Sequence, residues 1–214
     1  MRNGAIKLWG AVRDLAYLMQ HERREIGPWL AAFLRSFLYN RIDWIVYTRS
    51  LEGHLPSIEV RLLVTYLVAG ADDFARLREL VLPSEFARLG KRLAHGRICA
   101  LALYQGRVVG YLWITDEVNF EIDNLQLRLG PGDVYFDDAY TVPAYRNQGV
   151  YTALHLQGLR DMQGRGFQRA VSIVDVGNLP SRRVHEKLGY QEADRLFFRR
   201  ILIMRQYRYQ NGRF

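Results

Sequence analysis

Apolar residues recur along this chain at two spacings, and the switches between them mark out its elements. Over residues 6–23, Leu8, Trp9, Val12, Leu15, Ala16 and Met19 return at the three-to-four-residue interval of one helix face. Gly27-Pro28 breaks that pattern. Pro28 suits the start of a second helix over 29–39, where its missing N–H is not needed. That helix carries Trp29, Leu30, Phe33, Leu34, Phe37 and Leu38 on one side and Arg35 on the other. Residues 43–48, rich in β-branched and aromatic side chains, predict a strand, and 58–67 a second. Helical spacing returns over 72–82, with Asp72 or Asp73 as cap, and over 84–94, with Ser84 as cap after Pro83. Residues 98–104 and 108–115 flank Gln105-Gly106 and predict a β-hairpin. A strand over 124–129 ends at Gly130-Pro131-Gly132. Then follow a strand at 134–142, a helix at 150–163, a strand at 170–176, a helix at 180–188, and a strand or hairpin at 196–207. Periodicity alone supports an α/β or α+β class.

Composition narrows the setting. With 214 residues, 49% of them hydrophobic, the chain suits one globular domain with an appended segment. The lone Cys99 sits in an apolar run and reads as a buried, inert thiol. No oxidising compartment is implied, and a cytoplasmic location is expected. The formal charge of +8 is uneven. Residues 1–50 and 195–214 carry more than the whole excess, which leaves the middle slightly acidic. Basic ends suit anionic lipid, nucleic acid, an acidic partner, or simple solubility. No segment reaches the ~18–20 apolar residues that span a bilayer, and no secretory signal pattern is expected at the N-terminus. The 29–39 stripe fits packing on its own chain, on a second copy as a homodimer, or on a membrane interface as a peripheral helix. No nucleic-acid reading motif is present, so none is expected as partner. Five His and one Cys show no metal-ligand spacing, and no metal is expected.

Two segments carry chemistry. The first, Tyr145-Arg146-Asn147-Gln148-Gly149-Val150-Tyr151-Thr152, joins a strand to a helix through a basic, glycine-bearing turn. Unpaired N–H groups at a helix N-terminus, with the helix dipole, form an anion site. Arg146 adds charge, and Gly149 would let the backbone approach a ligand closely. The second, Asn178-Leu179-Pro180-Ser181-Arg182-Arg183-Val184-His185-Glu186-Lys187-Leu188-Gly189-Tyr190, follows the next strand. Together they resemble the GNAT superfamily of Gcn5-related N-acyltransferases. Its pattern is Arg/Gln-x-x-Gly-x-Gly/Ala before the main helix, then Asn-x-x-Ser/Ala and Glu-Lys-Leu-Gly-Phe/Tyr. The resemblance is specific over 134–190, looser over 58–115, and absent before Ser50.

The resemblance implies a central mixed sheet with helices on both faces, a GNAT-like domain over 43–214, and an N-terminal amphipathic helical extension over 1–42. It implies acetyl-CoA, or another acyl-CoA, as donor, and an amine acceptor. The amides of Asn147, Gln148, Gly149, Val150, Tyr151 and Thr152 would face the pyrophosphate, and the Thr152 hydroxyl could add a bond. Tyr151 departs from the family's Gly or Ala and must point away from the phosphate. The strand before the turn should splay from its neighbour and expose backbone groups of Ala139, Tyr140 and Thr141 to the pantetheine arm. Asn178 fits the position that contacts that arm. Ser181 fits the start of the following helix, as a contact or only as a cap. His185 takes the place where the family often has a tyrosine that protonates the leaving thiolate.

A base is needed to deprotonate an ammonium acceptor. Asp137 and Asp138 lie within the core strand, where unpaired acids are costly. Strand alternation admits one of them to the site and favours Asp137, on the side of Ala139 and Thr141. Tyr140 and Glu121 are reserves. The other reading has these carboxylates bind arginines or the acceptor amine without moving a proton. Two other functional readings stand beside acetyl transfer. One is a long-chain acyl donor used at a membrane surface. The other is a non-catalytic acyl-CoA-binding regulator.

Overall fold

Eight strands hydrogen-bond into one mixed sheet in the computed structural model. It describes residues 39–117, 120–122, 125–127, 129–201 and 204–211, with isolated positions 15, 19, 26 and 27 before them. The N-terminal helical pair predicted over 6–39 lies outside the described residues, apart from those four positions, which are helical, and Tyr39, which belongs to a strand.

The elements are β1 (Tyr39–Ser50), β2 (Thr65–Val68), α1 (Ala71–Ala75) with a 3-10 turn (Arg76–Glu79), α2 (Pro83–Ala94), β3 (Ile98–Tyr104) and β4 (Arg107–Thr115). A small hairpin of β5 (Phe120–Ile122) and β6 (Leu125–Leu127) follows. Then come β7 (Asp133–Thr141), α3 (Val150–Gly164), β8 (Arg169–Asp175), α4 (Leu179–Lys187), β9 (Gln191–Ile201) and β10 (Met204–Tyr209). The sheet order is β10-β9-β1-β8-β7-β4-β3-β2. Among the described residues its only parallel pair is β7 with β8. The first described strand therefore lies between two late ones, antiparallel to both β8 and β9.

Several local predictions shift. The strand predicted over 58–67 shortens to Thr65–Val68, and the helix over 72–82 is one α-turn continued as 3-10. Neither Asp72, Asp73 nor Ser84 caps: the N-cap positions are Gly70 and Leu82, and Pro83 opens α2. The 124–129 strand is half of the β5–β6 hairpin. The Gln105-Gly106 turn stands as expected, with φ of 50° and 77°. Two consecutive positive values are what a two-residue type I′ hairpin requires.

Alternation along the strands divides the core. Ala100, Ala102, Leu112 and Ile114 face the cluster that packs on α3. Cys99, Leu101, Tyr111 and Trp113 face the opposite cluster, with Phe74, Leu77 and Leu89 of α1, the 3-10 turn and α2. Helices thus cover both faces. Cys99 is fully buried, and burial pushes its thiol up to about 12, which fits an inert group.

α3 sits close to the sheet because Gly158 lacks a side chain. A Cβ there would lie 3.0 Å from Phe136 and 3.1 Å from Ile114, both buried. Gly158→Val should therefore lower stability by about 1–3 kcal/mol through overpacking. Urea unfolding checks this; unchanged stability would mean that α3 can lift off the sheet without loss.

The Glu186-Lys187-Leu188-Gly189-Tyr190 run now has a physical explanation. Leu188 is fully buried, Gly189 takes φ 80°, and the Tyr190 amide bonds back to the His185 carbonyl at 2.9 Å. This is the left-handed helix stop that favours glycine. It delivers Tyr190 into the core, while Glu186 and Lys187 stay exposed.

Candidate active site

The parallel pair β7–β8 parts half-way. Asp133 to Phe136 pair with Arg169 to Ser172, and no pairing continues beyond. From that point a cleft of about 860 Å³ opens, lined by Asp137 to Thr141 on one side and Ser172 to Asp175 on the other. It runs on to Arg146, the start of α3 and the start of α4.

Backbone polarity along the β7 wall follows from register. The Val142 amide bonds the Val109 carbonyl at 3.0 Å, so the next pair, Gly110 with Thr141, is the one that exchanges no bonds across β4. The N–H and carbonyl of Thr141 therefore point into the cleft. Tyr140, one residue back, spends its backbone groups on the β4 ladder instead of exposing them as expected. Nor is the Thr141 carbonyl open, because the Arg146 Nε donates to it at 3.1 Å. Arg146 also lies over the Tyr140 ring, 5.9 Å from its centre.

The turn into α3 presents its amides. Asn147 and Gly149 have φ of 60° and 86°, and the first backbone bond into the helix is donated by Ala153, to Gly149. Among the described residues, the amides of Asn147 to Thr152 donate to no backbone acceptor, and no side chain caps them. With the helix dipole, these amides give the anion cradle its physical basis. The role read for Gly149 changes, however. A Cβ there would meet Val60 at 2.9 Å, so the missing side chain makes room for the 58–62 segment rather than for a ligand. Leu62 holds that segment by bonding the Gln148 carbonyl at 3.1 Å. Thr152 lines the cleft but is mostly buried, at 7% exposure. Asn178 and Ser181 line the cleft, but Asn178 is the cap: its Oδ1 accepts from the Ser181 amide at 3.2 Å.

Asp137 and Asp138 both line the cleft, contrary to the alternation argument. A β-bulge shifts the β4–β7 register between Tyr111 and Trp113, and Asp138 has φ 40°. A bulge breaks the two-residue alternation on which the prediction rested. Both carboxylates turn to α2. Arg92 bonds Asp137 at 2.6 Å and Asp138 at 3.1 Å, and Arg88 bonds Asp138 at 2.5 Å. Arg88 also pairs with Glu85. Burial raises the Asp137 carboxyl above the ordinary carboxylate value, outweighing the opposing pull of Arg92. Tyr140 lines the same cleft, whereas the Glu121 side chain lies outside the described residues.

His185 lines the cleft, but both of its ring nitrogens are engaged inside the fold. It is 1% exposed, with Nδ1 2.8 Å from the Ser181 carbonyl and Nε2 2.9 Å from the Ser172 hydroxyl. A carbonyl can only accept, so Nδ1 carries the hydrogen and Nε2 accepts from Ser172. Burial pulls the imidazole down to about 4, so the imidazolium is scarce at neutral pH.

Sequence reasoning passed over the groups around it. His155 of α3, fully buried, bonds the Tyr151 hydroxyl through Nδ1 at 3.1 Å and the Tyr190 hydroxyl through Nε2 at 2.8 Å. Tyr151 turns its ring inward, as its departure from Gly or Ala required. Arg88 and Arg92 were also missed, though their four-residue spacing on α2 marks a single helix face. Arg183 lines the cleft at its α4 side.

A family model for the acetyltransferase (GNAT) family matches residues 68–190, more than half of the chain. The chain belongs to the GNAT family of acetyltransferases. Among solved structures, a putative GNAT-family acetyltransferase from Novosphingobium aromaticivorans matches with a TM-score of 0.53 and 16% identity, over 74% of this chain and 63% of that one. A GCN5-related N-acetyltransferase from Sphaerobacter thermophilus matches with a TM-score of 0.54 and 17% identity, over 83% of this chain and 57% of that one. The chain thus spans about three fifths of the length of each. At these identities the likeness speaks for the GNAT fold, and membership of the family rests on the family match.

Proposed function

We propose that this chain transfers an acyl group, in the simplest case acetyl, from coenzyme A to a primary amine by direct attack. One observation carries the reading. The β7–β8 split and the unpaired amides at the start of α3 line a single cleft, with two carboxylates at its far end. The amides of 147–152, helped by Arg146 and Arg183, would hold the pyrophosphate. The Thr141 N–H, aimed into the cleft, would bond the pantetheine arm or polarise the thioester carbonyl.

Asp137 is the better placed base. It bonds one arginine, through Oδ2, whereas Asp138 is held by two. In the reaction Asp137 takes a proton from the ammonium. The first proton passes from Asp137 to solvent, the freed amine attacks the thioester carbonyl, Asp137 takes the second nitrogen proton, and the C–S bond breaks as the amide forms. No acyl-enzyme is needed, and the sole Cys is buried away from the cleft lining.

Thermal unfolding with CoA, acetyl-CoA and a long-chain acyl-CoA tests the cradle, since a ligand bound only by the folded state raises the melting temperature. Arg146→Ala removes an exposed charge without entering the core, and it should weaken CoA binding by about tenfold. A primary-amine panel with acetyl-CoA then tests turnover. No stabilisation by any of the three ligands would overturn the acyl-CoA reading.

A further inference from the structure

Collapse of the reaction leaves a thiolate that needs a proton, and the cleft contains few groups able to give one. His185 keeps both ring nitrogens inside the fold. Tyr140 stacks on Tyr111 beneath Arg146, and Tyr145 packs edge-on to Tyr104 at the cradle end. Tyr151 is different. Like His185 it lines the cleft, but it is half-buried where His185 is buried, and its hydroxyl meets His155 and Ser181.

Those two groups are arranged for giving up a proton. His155 Nδ1 lies 3.1 Å from the Tyr151 oxygen, while Nε2 lies 2.8 Å from the Tyr190 hydroxyl. When Tyr190 donates to Nε2, the hydrogen of His155 sits on Nδ1 and points at Tyr151. Burial raises the Tyr151 phenol above the ordinary tyrosine value, and a hydrogen bond from Ser181 to the same oxygen opposes that rise. Two donors on one phenol oxygen leave its own O–H for the cleft and stabilise the negative charge that develops when the proton departs. Positions 151 and 185, where the sequence departs from its family pattern, are neighbours in the fold.

We infer that Tyr151 is the general acid that protonates the coenzyme A thiolate, with His155, Tyr190 and Ser181 as positioning residues. The inference rests on the acyl-CoA reading above. The balance is simple. The C–S bond breaks with its electron pair on sulfur, sulfur takes the Tyr151 hydrogen, and CoA leaves as the thiol. The tyrosinate, held by the two donors, recovers a proton from the cleft once the amide product, whose nitrogen proton passed to Asp137, has gone.

The test compares two leaving groups. Wild type and Tyr151→Phe are assayed with acetyl-CoA and with the selenoester of seleno-CoA, using an amine from the panel. A selenolate is a much more stable anion than a thiolate and leaves without a proton. Tyr151→Phe should lower kcat with acetyl-CoA by about a hundredfold, the low end for general acid catalysis. KM for acetyl-CoA should stay within about twofold, as expected when only a transition-state interaction is lost. With the selenoester most of the loss should vanish. Equal loss with both donors, or no loss with either, would overturn the assignment. Should Phe at 151 disturb the core, Ser181→Ala carries the same test by removing one donor to the phenol. A several-fold loss confined to the thioester supports the assignment, and a loss shared by both donors overturns it. Failure of wild type to bind CoA or to acylate any amine would instead sink the acyl-CoA reading, and this inference with it.

Discussion

Asp137→Asn should reduce acyl transfer by at least about a hundredfold while leaving CoA affinity unchanged. The magnitude is that of a lost general base. Asn keeps the shape and can still meet its neighbours, but it cannot take a proton. The same substitution should leave the fold as stable as wild type at pH 7, or more so. Burial raises the carboxyl above its unfolded value, so the folded protein prefers the protonated form. Stability from that preference is present at low pH and is lost as pH rises through the folded value. Asn removes the charged form and with it the cost at neutral pH. Arg92 is not stranded, since Asp138 remains 3.1 Å away. Asp138→Asn behaves in the opposite way. It takes the shared anion from Arg88 and Arg92, so it should cost stability more than rate. The check is kcat/KM against pH for all three proteins, beside urea unfolding. Wild type should show an acid limb that Asp137→Asn lacks. A fully active Asp137→Asn would move the base to Asp138 or beyond.

The contrast between these two neighbours shows where sequence reasoning stops. Strand β7, the turn at 145–152 and helix α3 were legible because each follows from local pattern: an apolar run, Pro143, a glycine with positive φ, then helical spacing. The hairpin at Gln105-Gly106 was legible for the same reason. The bulge at Asp138 was not, because it depends on register with β4 and leaves no mark in the residues of β7 themselves. The arginines that bind both carboxylates come from α2, some forty-five residues earlier, and only packing brings them there. Gly149 was rightly singled out and wrongly explained. Its neighbour, Val60, belongs to a segment that the apolar pattern had made a strand. The His155–Tyr151–Tyr190 group was illegible for a similar reason. A histidine on the buried face of a helix looks like an isolated polar residue until Tyr151, one turn earlier, and Tyr190, from another element, reach its two nitrogens.

That buried histidine pair carries the second large effect, a loss of stability in mild acid. His155 and His185 are both held neutral by burial, their ring centres 5.1 Å apart. An unfolded histidine takes a proton near pH 6.5. His185 in the fold does so only at about 4, and His155 is likewise displaced downward, by burial and then by His185. For a group whose folded value is lowered, the unfolded chain binds the proton first. Stability is therefore fully present above about pH 6.5 and declines as pH falls toward 4. For His185 the span corresponds to about 3 kcal/mol, and His155 adds to it. The cost of protonation is burial of the charged ring, since the hydrogen bonds can rearrange to keep it satisfied. Protonated Nε2 would become a donor facing the Ser172 hydroxyl, which must then turn its hydrogen to the Phe136 carbonyl, 3.1 Å away. Phe136 and Ser172 form the last β7–β8 pair before the cleft, so acid would disturb the fold at the point where the site begins. Urea unfolding between pH 7 and 4 measures this directly. Wild type should lose several kcal/mol across that range. His185→Asn should start lower at pH 7, having lost the stacking on Tyr47, and should fall less steeply. An identical slope in the two proteins would show that His185 titrates alike in the folded and unfolded chain, and the acid lability would then belong to His155 and the carboxylates.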